Sequence, residues 1–199
     1  MSVPFVGLTG GLGAGKSTAL EALEELGAST LSTDAVVHEL LETDALRDLI
    51  VERLGPGVAP AGRLDRPAIA ARVFADDDAR AWLEGVLWPR VAERVAAFRA
   101  EVDSVKPPPR AVVVEVPLLF EAGSEGLYDA TIAVVADEAL RDERAAARGH
   151  ESVAERAGRQ LTQAEKSQRA DFTVRNDGSR EELKESLSRV LAKLGGIDP

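Results

Sequence analysis

A glycine-rich run near the N-terminus, residues 10–17, constrains the fold of this chain more than any other feature of its sequence. It reads Gly-Gly-Leu-Gly-Ala-Gly-Lys-Ser and matches the pattern G-x-x-x-x-G-K-[ST]. A short apolar segment, residues 4–9, precedes it and is typical of a strand buried on both faces. Residues 17–26 then carry leucines at helical spacing, and Gly27 follows as a helix stop. This order of strand, loop and helix predicts a phosphate-binding loop.

The loop's residue types suit a nucleoside triphosphate bound with Mg²⁺. Glycines let backbone N–H groups turn toward phosphate oxygens, and the following helix adds its positive N-terminal dipole. Lys16 can reach the β- and γ-phosphates, and the Ser17 hydroxyl can ligate Mg²⁺. The predicted nucleotide-binding residues of the loop are Gly11, Gly13, Ala14, Gly15, Lys16, Ser17 and Thr18.

The rest of the chain alternates between strand and helix patterns. Strands are predicted at residues 29–32, 111–116, 130–135 and 172–174, and helices at 35–41, 45–54, 67–74, 79–105 (interrupted at Pro89) and 180–194. We therefore predict an α/β fold, a P-loop NTPase three-layer sandwich with a five-stranded parallel sheet. Its core is expected to comprise residues 1–34, 111–137 and 171–199, with a helical insertion at 35–110.

Composition excludes several classes of protein. The chain has no cysteine and two histidines, which rules out a thiol nucleophile, a disulfide framework and a multi-histidine metal centre. A net charge of −10 argues against binding to nucleic acid or to an anionic membrane, although residues 141–175 hold eight Lys/Arg against six Asp/Glu. No apolar run approaches the roughly 20 residues of a membrane span, and the N-terminus lacks a signal-peptide pattern, so a cytoplasmic protein is expected.

Landmarks over nearly the whole chain make it resemble the dephospho-CoA kinase family. The most specific are the run from Leu8 to Thr18, the sequence Val-Pro-Leu-Leu-Phe-Glu at residues 116–121, and Asn-Asp-Gly-Ser at 176–179. The resemblance implies ATP-dependent phosphorylation of the ribose 3′-hydroxyl of dephospho-CoA, with Mg²⁺ as cofactor and products CoA and ADP. It also implies that the insertion at 35–110 binds CoA and that residues 138–170 form a lid, and a monomer without an obligate protein partner is expected.

Asp34 is the predicted catalytic base. It follows the second strand, where a parallel sheet presents residues to its ligand, and a carboxylate can accept a proton from a sugar hydroxyl. Its position also allows it simply to cap the next helix. In the family this aspartate is the proposed base, whereas a second aspartate usual two residues earlier is Ser32 here.

Arg144, Arg148 and Asn176 are the other predicted nucleotide contacts. The two arginines share one helix face at i, i+4 spacing, and they match lid arginines of the family. Arg144 is also assigned a catalytic role, in which it neutralises charge on the transferred phosphoryl group. The alternative for them is a surface helix paired with Asp142 or Glu143. The resemblance implies that Asn176 binds adenine, and its alternative is an ordinary turn residue.

The predicted acceptor-binding residues rest mainly on the resemblance. They are Asp34, His38, Arg66, Leu118, Phe120 and Glu121. His38 is otherwise a structural histidine, and Glu115 and Glu121 could act on Mg²⁺ or the acceptor or be ordinary carboxylates. Trp88 stands where the family usually has histidine. Trp82 and Trp88 are expected mainly in the core, and the alternative is that they line the acceptor pocket.

Two other functions also fit part of the pattern. The first is a kinase that acts on a nucleoside monophosphate or another small metabolite. Only the family-specific sequences argue against this alternative. The second is a nucleotide-driven switch. A GTPase would be expected to carry Asn-Lys-x-Asp after a strand, and that sequence does not occur here. A switch would also have no need of the clustered arginines.

Overall fold

The computed structural model describes residues 3–147 and 160–196. The chain forms two compact units: a sheet unit made of Met1–Ser32 and Arg99–Pro199, and a helical unit made of Thr33–Phe98. The division thus falls at residues 33 and 99, whereas the sequence interpretation placed it at 35 and 111. The assignment of residues 35–110 to CoA binding and of 138–170 to a lid stays a prediction.

The sheet unit is built on five parallel strands in the order β2-β3-β1-β4-β5, which confirms the predicted α/β fold class. The strands are β1 (Phe5–Gly10), β2 (Ser29–Ser32), β3 (Val112–Glu115), β4 (Ala130–Val135) and β5 (Phe172–Arg175). The helices are α1 (Lys16–Glu25), α2 (Thr33–Leu41), α3 (Asp44–Leu54), α4 (Arg66–Ala75), α5 (Asp77–Asp103), α6 (Glu138–Ala147), α7 (Gln163–Arg169) and α8 (Arg180–Leu194). Short 3₁₀ helices lie at Pro56–Val58 and Glu125–Leu127.

Helices cover both faces of the sheet, so its central strands are buried along their whole length. Side chains alternate along a strand. On β1, Val6 and Leu8 belong to the core formed with α1 and α8. On the opposite face, Thr9 meets α7 through Lys166, and Gly7 lies against Tyr128. Burial on both faces explains why these strands read as continuous apolar runs.

Short sequence motifs mark the ends of several helices. Gly27 follows α1 with φ 89°, the left-handed conformation that glycine adopts without strain. Ser179 and Glu182 form a capping box at the start of α8. Thr162 and Glu165 form another at the start of α7.

The helical unit has a hydrophobic core of its own. Its buried members come from α3, α4, α5 and the 3₁₀ helix between α3 and α4: Leu46, Ile50, Leu54, Val58, Ile69, Ala79 and Leu83. Trp82 packs against this core. Trp88 is 54% exposed, so its expected burial was wrong.

The predicted interruption at Pro89 was also wrong, because α5 runs through it for 27 residues. Proline removes one backbone donor from the helix. Beside it, the Arg90 guanidinium donates to the Val86 carbonyl at 2.6 Å, so a carbonyl of that turn has a side-chain donor. In the described part of the chain, α5 included, no helix combines the length and apolar character that crossing a membrane demands.

Candidate active site

The phosphate-binding loop lies between the end of β1 and the first residue of α1, as predicted. Two of its glycines are required by both conformation and space. Gly13 has φ 75°, and a Cβ there would lie 2.4 Å from the Arg141 carbonyl oxygen. Gly15 has φ 88°, and its Cβ would lie 2.0 Å from Asn176 Nδ2. A larger residue would therefore displace the Arg141 backbone at Gly13 and the Asn176 side chain at Gly15.

Lys16 and Ser17 occupy the first turn of α1, where the helix dipole favours negative charge. The Lys16 ammonium donates to the Gly11 carbonyl at 3.3 Å, so the side chain curls back across the loop. Ser17 is exposed at this helix start. Contact of Lys16 with phosphate and of Ser17 with Mg²⁺ stays a prediction of the motif.

Two side chains from later in the chain, Asn176 and Arg141, bind the loop's backbone, and Arg144 supports the first of them. Asn176 is buried at 6% exposure and donates from Nδ2 to the Ala14 carbonyl at 2.9 Å. Arg144 Nη1 donates to the Asn176 carbonyl at 3.0 Å, and Arg141 Nε donates to the Leu12 carbonyl at 2.9 Å. The structure therefore unites Arg144 and Asn176 with the loop. Contact of either with a nucleotide stays a prediction.

The turn that carries Asn176 is fixed from its other side. The Asn176 N–H donates to the Val135 carbonyl at 2.8 Å. Asp177 accepts from the Asp137 N–H at 2.6 Å and from Arg175 Nε at 2.8 Å. These contacts, first the Asp137 N–H and then the Arg175 guanidinium, lower the pKa of the Asp177 carboxyl. Asp177 is therefore ionised across the neutral pH range, and its hydrogen bonds keep the turn that carries Asn176 in place.

Removing the Asn176 side chain tests this support. Asn176→Ala leaves the Ala14 carbonyl without that donor in a buried place, so we expect a loss of about 1–3 kcal/mol in the free energy of unfolding. The affinity for ATP should fall with it. Urea denaturation and nucleotide titration measure the two effects. A variant whose stability changes by less than about 0.5 kcal/mol would show that the amide does not support the loop.

The segment after β3, residues 116–121, lies at the carboxyl end of the sheet. Leu118 is 39% exposed, whereas Phe120 is buried beneath the Arg169 guanidinium at 4.9 Å. Glu121 pairs with Lys166 at 2.9 Å. The three predicted residues Leu118, Phe120 and Glu121 thus lie in one short segment, in which only Leu118 among them is exposed. Glu115, at the end of β3, is buried.

Other predicted acceptor residues lie in the helical unit. Asp34 is exposed in the first turn of α2, which begins at Thr33, so Asp34 is inside the helix rather than the residue before it. His38 Nδ1 and Arg66 Nη1 are 3.5 Å apart. These two residues help to line a cavity of about 550 Å³, and the other charged residues of its lining are Glu42, Asp44, Arg47 and Arg63. Arg47 pairs with Asp44 at 2.6 Å, so the cavity presents both signs of charge.

Sequence reasoning missed two residues and named one that lies beyond the described range. Arg148 is outside the described residues. Arg141 was counted only among the eight Lys/Arg of residues 141–175. It precedes Arg144 by three residues and shares its helix face, and this spacing could have identified it. Lys166 was missed because α7 reads as a charged, solvated helix, yet its side chain is fully buried.

Mg²⁺ fits the donor set of the loop. Among residues 3–147 and 160–196, no group of three His, Asp or Glu is placed to hold a metal ion. Magnesium bound with a nucleotide needs no such group, because phosphates and water supply most of its ligands and the protein adds one or two oxygens. The Ser17 hydroxyl at the start of α1 is an oxygen of that kind.

Comparison with known proteins places the chain beside kinases. Residues 4–182 match the family model described as dephospho-CoA kinase. The dephospho-CoA kinase of Deinococcus radiodurans is 40% identical over 95% of this chain and 91% of its own length. That of Moorella thermoacetica is 40% identical over 96% of this chain and 92% of its own.

A solved structure agrees with the sequence comparison. The crystal structure of a Thermus thermophilus protein is similar to this chain with a TM-score of 0.78 and 35% identity. The match covers 97% of this chain and 99% of the other. The similarity therefore extends over the whole fold.

Proposed function

The chain belongs to the dephospho-CoA kinase family, and from this premise we propose that it transfers the γ-phosphoryl group of ATP to the ribose 3′-hydroxyl of dephospho-CoA, giving CoA and ADP. The observation that carries the proposal is the family match over residues 4–182. Relatives with this name match over more than nine-tenths of their length, so the whole architecture is common to them.

We assign nucleotide binding to the loop and the residues that close around it. The backbone N–H groups of residues 11–18 and the α1 dipole bind the phosphates, and Lys16 neutralises the β- and γ-phosphates. Arg144 supports this proposal by its position, because its guanidinium is already held beside the loop through Asn176. Its remaining donors can stabilise charge on the transferred phosphoryl group. Arg148 is assigned to the nucleotide from the family pattern alone.

Ser17 is assigned to hold Mg²⁺. When bound, the ion neutralises phosphate charge and orients the β- and γ-phosphates. The Ser17 hydroxyl lies at the N-terminus of α1, where nearby negative charge stabilises the helix.

Asp34 is assigned to the acceptor hydroxyl. A ribose hydroxyl is a weak nucleophile, and a carboxylate can orient it and accept its proton as the new P–O bond forms. Exposure of Asp34 in the first turn of α2 leaves the carboxylate accessible for this role. The proton passes to an Asp34 oxygen, and the leaving group is ADP.

Acceptor-binding residues are assigned in each unit by itself. We propose that the helical insertion, with His38 and Arg66, binds the anionic part of dephospho-CoA, because three arginines outnumber the two carboxylates, Glu42 and Asp44, in the lining of their cavity. Leu118, Phe120 and Glu121 form the acceptor segment of the sheet unit. We assign residues 138–170 to a lid over the nucleotide and expect a monomer.

The test compares acceptors under otherwise identical conditions. Release of ADP from ATP with Mg²⁺ is measured with dephospho-CoA, AMP, adenosine or no acceptor. We expect rapid release only with dephospho-CoA, which should gain the mass of one phosphoryl group. Equal release without an acceptor would support a nucleotide-driven switch, and preference for AMP would support a nucleoside monophosphate kinase.

A further inference from the structure

Lys166 is a fully buried ammonium in the sheet unit, and the roles assigned above do not use it. Its Nζ donates to the Pro117 carbonyl at 2.7 Å and to Glu121, with a closest oxygen at 2.9 Å. Thr9 Oγ1 lies 3.4 Å away. An ammonium has three donors, and here each of them has a partner.

These partners come from two places at the carboxyl end of the sheet. Thr9 is on β1, directly before the phosphate-binding loop. Pro117 and Glu121 belong to the segment that follows β3, the strand paired with β1. Open parallel sheets bind their ligands beyond the carboxyl ends of their strands. A single buried side chain on α7 thus connects the nucleotide-binding strand to the proposed acceptor segment.

Glu121 is itself held by more than Lys166. Its Oε1 accepts from the Leu161 N–H at 2.9 Å, and its side chain is 14% exposed. One residue earlier, Phe120 lies beneath Arg169, which also pairs with Glu125. The segment is therefore attached to α7 and to the residues that lead into it at several points.

We propose that Lys166 is a positioning residue that fixes the acceptor segment, residues 117–121, and so sets affinity for the acceptor rather than for ATP. The inference rests on the proposed function, because it takes this segment to bind dephospho-CoA. In this proposal, Glu121 anchors the segment through its carboxylate, and Leu118 supplies the exposed surface that contacts the acceptor. Burying a charged pair costs desolvation free energy, which a purely structural contact between apolar side chains would avoid.

The test uses three variants and one control. Lys166→Met removes the ammonium, Glu121→Gln removes the carboxylate charge, and the double variant removes both charges together. Lys184→Met is the control, because Lys184 forms an exposed ion pair with Glu25 elsewhere in the same unit. Acceptor KM, ATP KM, kcat and melting temperature are measured for each.

For Lys166→Met we expect acceptor KM to rise about tenfold or more, with ATP KM within about twofold of the unchanged protein. The double variant should recover melting temperature, since it leaves no unpaired buried charge, yet keep the raised acceptor KM. Recovery of acceptor KM in the double variant would overturn the proposal, because it would show that Lys166 only neutralises Glu121. Parallel increases in both KM values would also overturn it. If Lys166→Met does not fold, the double variant compared with Glu121→Gln gives the same test.

Hydrogen exchange separates this inference from the proposed function. In the double variant, amides of residues 118–125 should exchange faster, while those of residues 16–25 in α1 keep their protection. Unchanged exchange at residues 118–125 would overturn the positioning role. If the unchanged protein does not phosphorylate dephospho-CoA, the proposed function fails, and the exchange measurement still decides whether Lys166 fixes the segment.

Discussion

Replacing Lys16 with methionine is expected to lower kcat for phosphoryl transfer by on the order of 10²- to 10³-fold. The substitution keeps most of the side-chain length and removes the ammonium. That ammonium lies across the phosphate-binding loop, 3.3 Å from the Gly11 carbonyl. Negative charge on the transferred phosphoryl group would then lose its closest cation on the loop. Steady-state ADP release at saturating dephospho-CoA measures the effect, with circular dichroism to verify the fold.

Lys193→Met is the matched control for this prediction. Lys193 lies in the last turn of α8 and is exposed, so its replacement should leave kcat unchanged. A Lys16→Met variant with kcat within about threefold of the control would contradict the role assigned to Lys16. Loss of turnover in both variants would point to a general effect of losing a lysine.

Asp34→Asn should lower kcat by on the order of 10²- to 10⁴-fold while the affinity for ATP stays the same. The amide keeps the size of the side chain but cannot accept the proton of the acceptor hydroxyl. Asp34 is exposed in the first turn of α2, so its replacement leaves no buried group unsatisfied and little change in stability is expected. Rapid-quench measurement of a single turnover isolates the chemical step.

Glu39→Gln provides the control on the same helix. Glu39 is also exposed, and its replacement removes one negative charge from α2 without touching a proposed catalytic group. The control should turn over normally. Near-normal turnover of Asp34→Asn would rule out Asp34 as an essential base, whereas an equal loss in both variants would assign the effect to the charge of the helix.

The sheet and the phosphate-binding loop were predictable because local signals and burial agree there. Apolar strands buried on both faces read as continuous runs, and each capping signal acts within one turn of helix. Pro89 shows where this reasoning fails. The local rule predicts a break, but α5 continues through the proline, with Ala79 and Leu83 buried before it and Val102 buried after it. Packing at both ends of the helix offsets the loss of one backbone hydrogen bond.

The candidate site was predictable only where a motif carries its own geometry. Lys16 and Ser17 follow from the loop pattern. Lys166 could not be found in this way, because its partners Thr9 and Glu121 are 157 and 45 residues distant along the chain. A lysine in a short charged helix reads as solvated, and only the folded sheet shows that it is buried. The contacts of Asn176 with the loop backbone are likewise long-range.

The position of the new phosphate on the product tests the central proposal most directly. The protein is incubated with ATP, Mg²⁺ and dephospho-CoA, and the product is examined by ³¹P–¹H correlation NMR. We expect a phosphate coupled to the ribose H3′ in CoA, formed together with ADP, and no product from an acceptor analogue without the 3′-hydroxyl. A phosphate coupled to H2′, or ADP formed without any phosphorylated acceptor, would contradict the account.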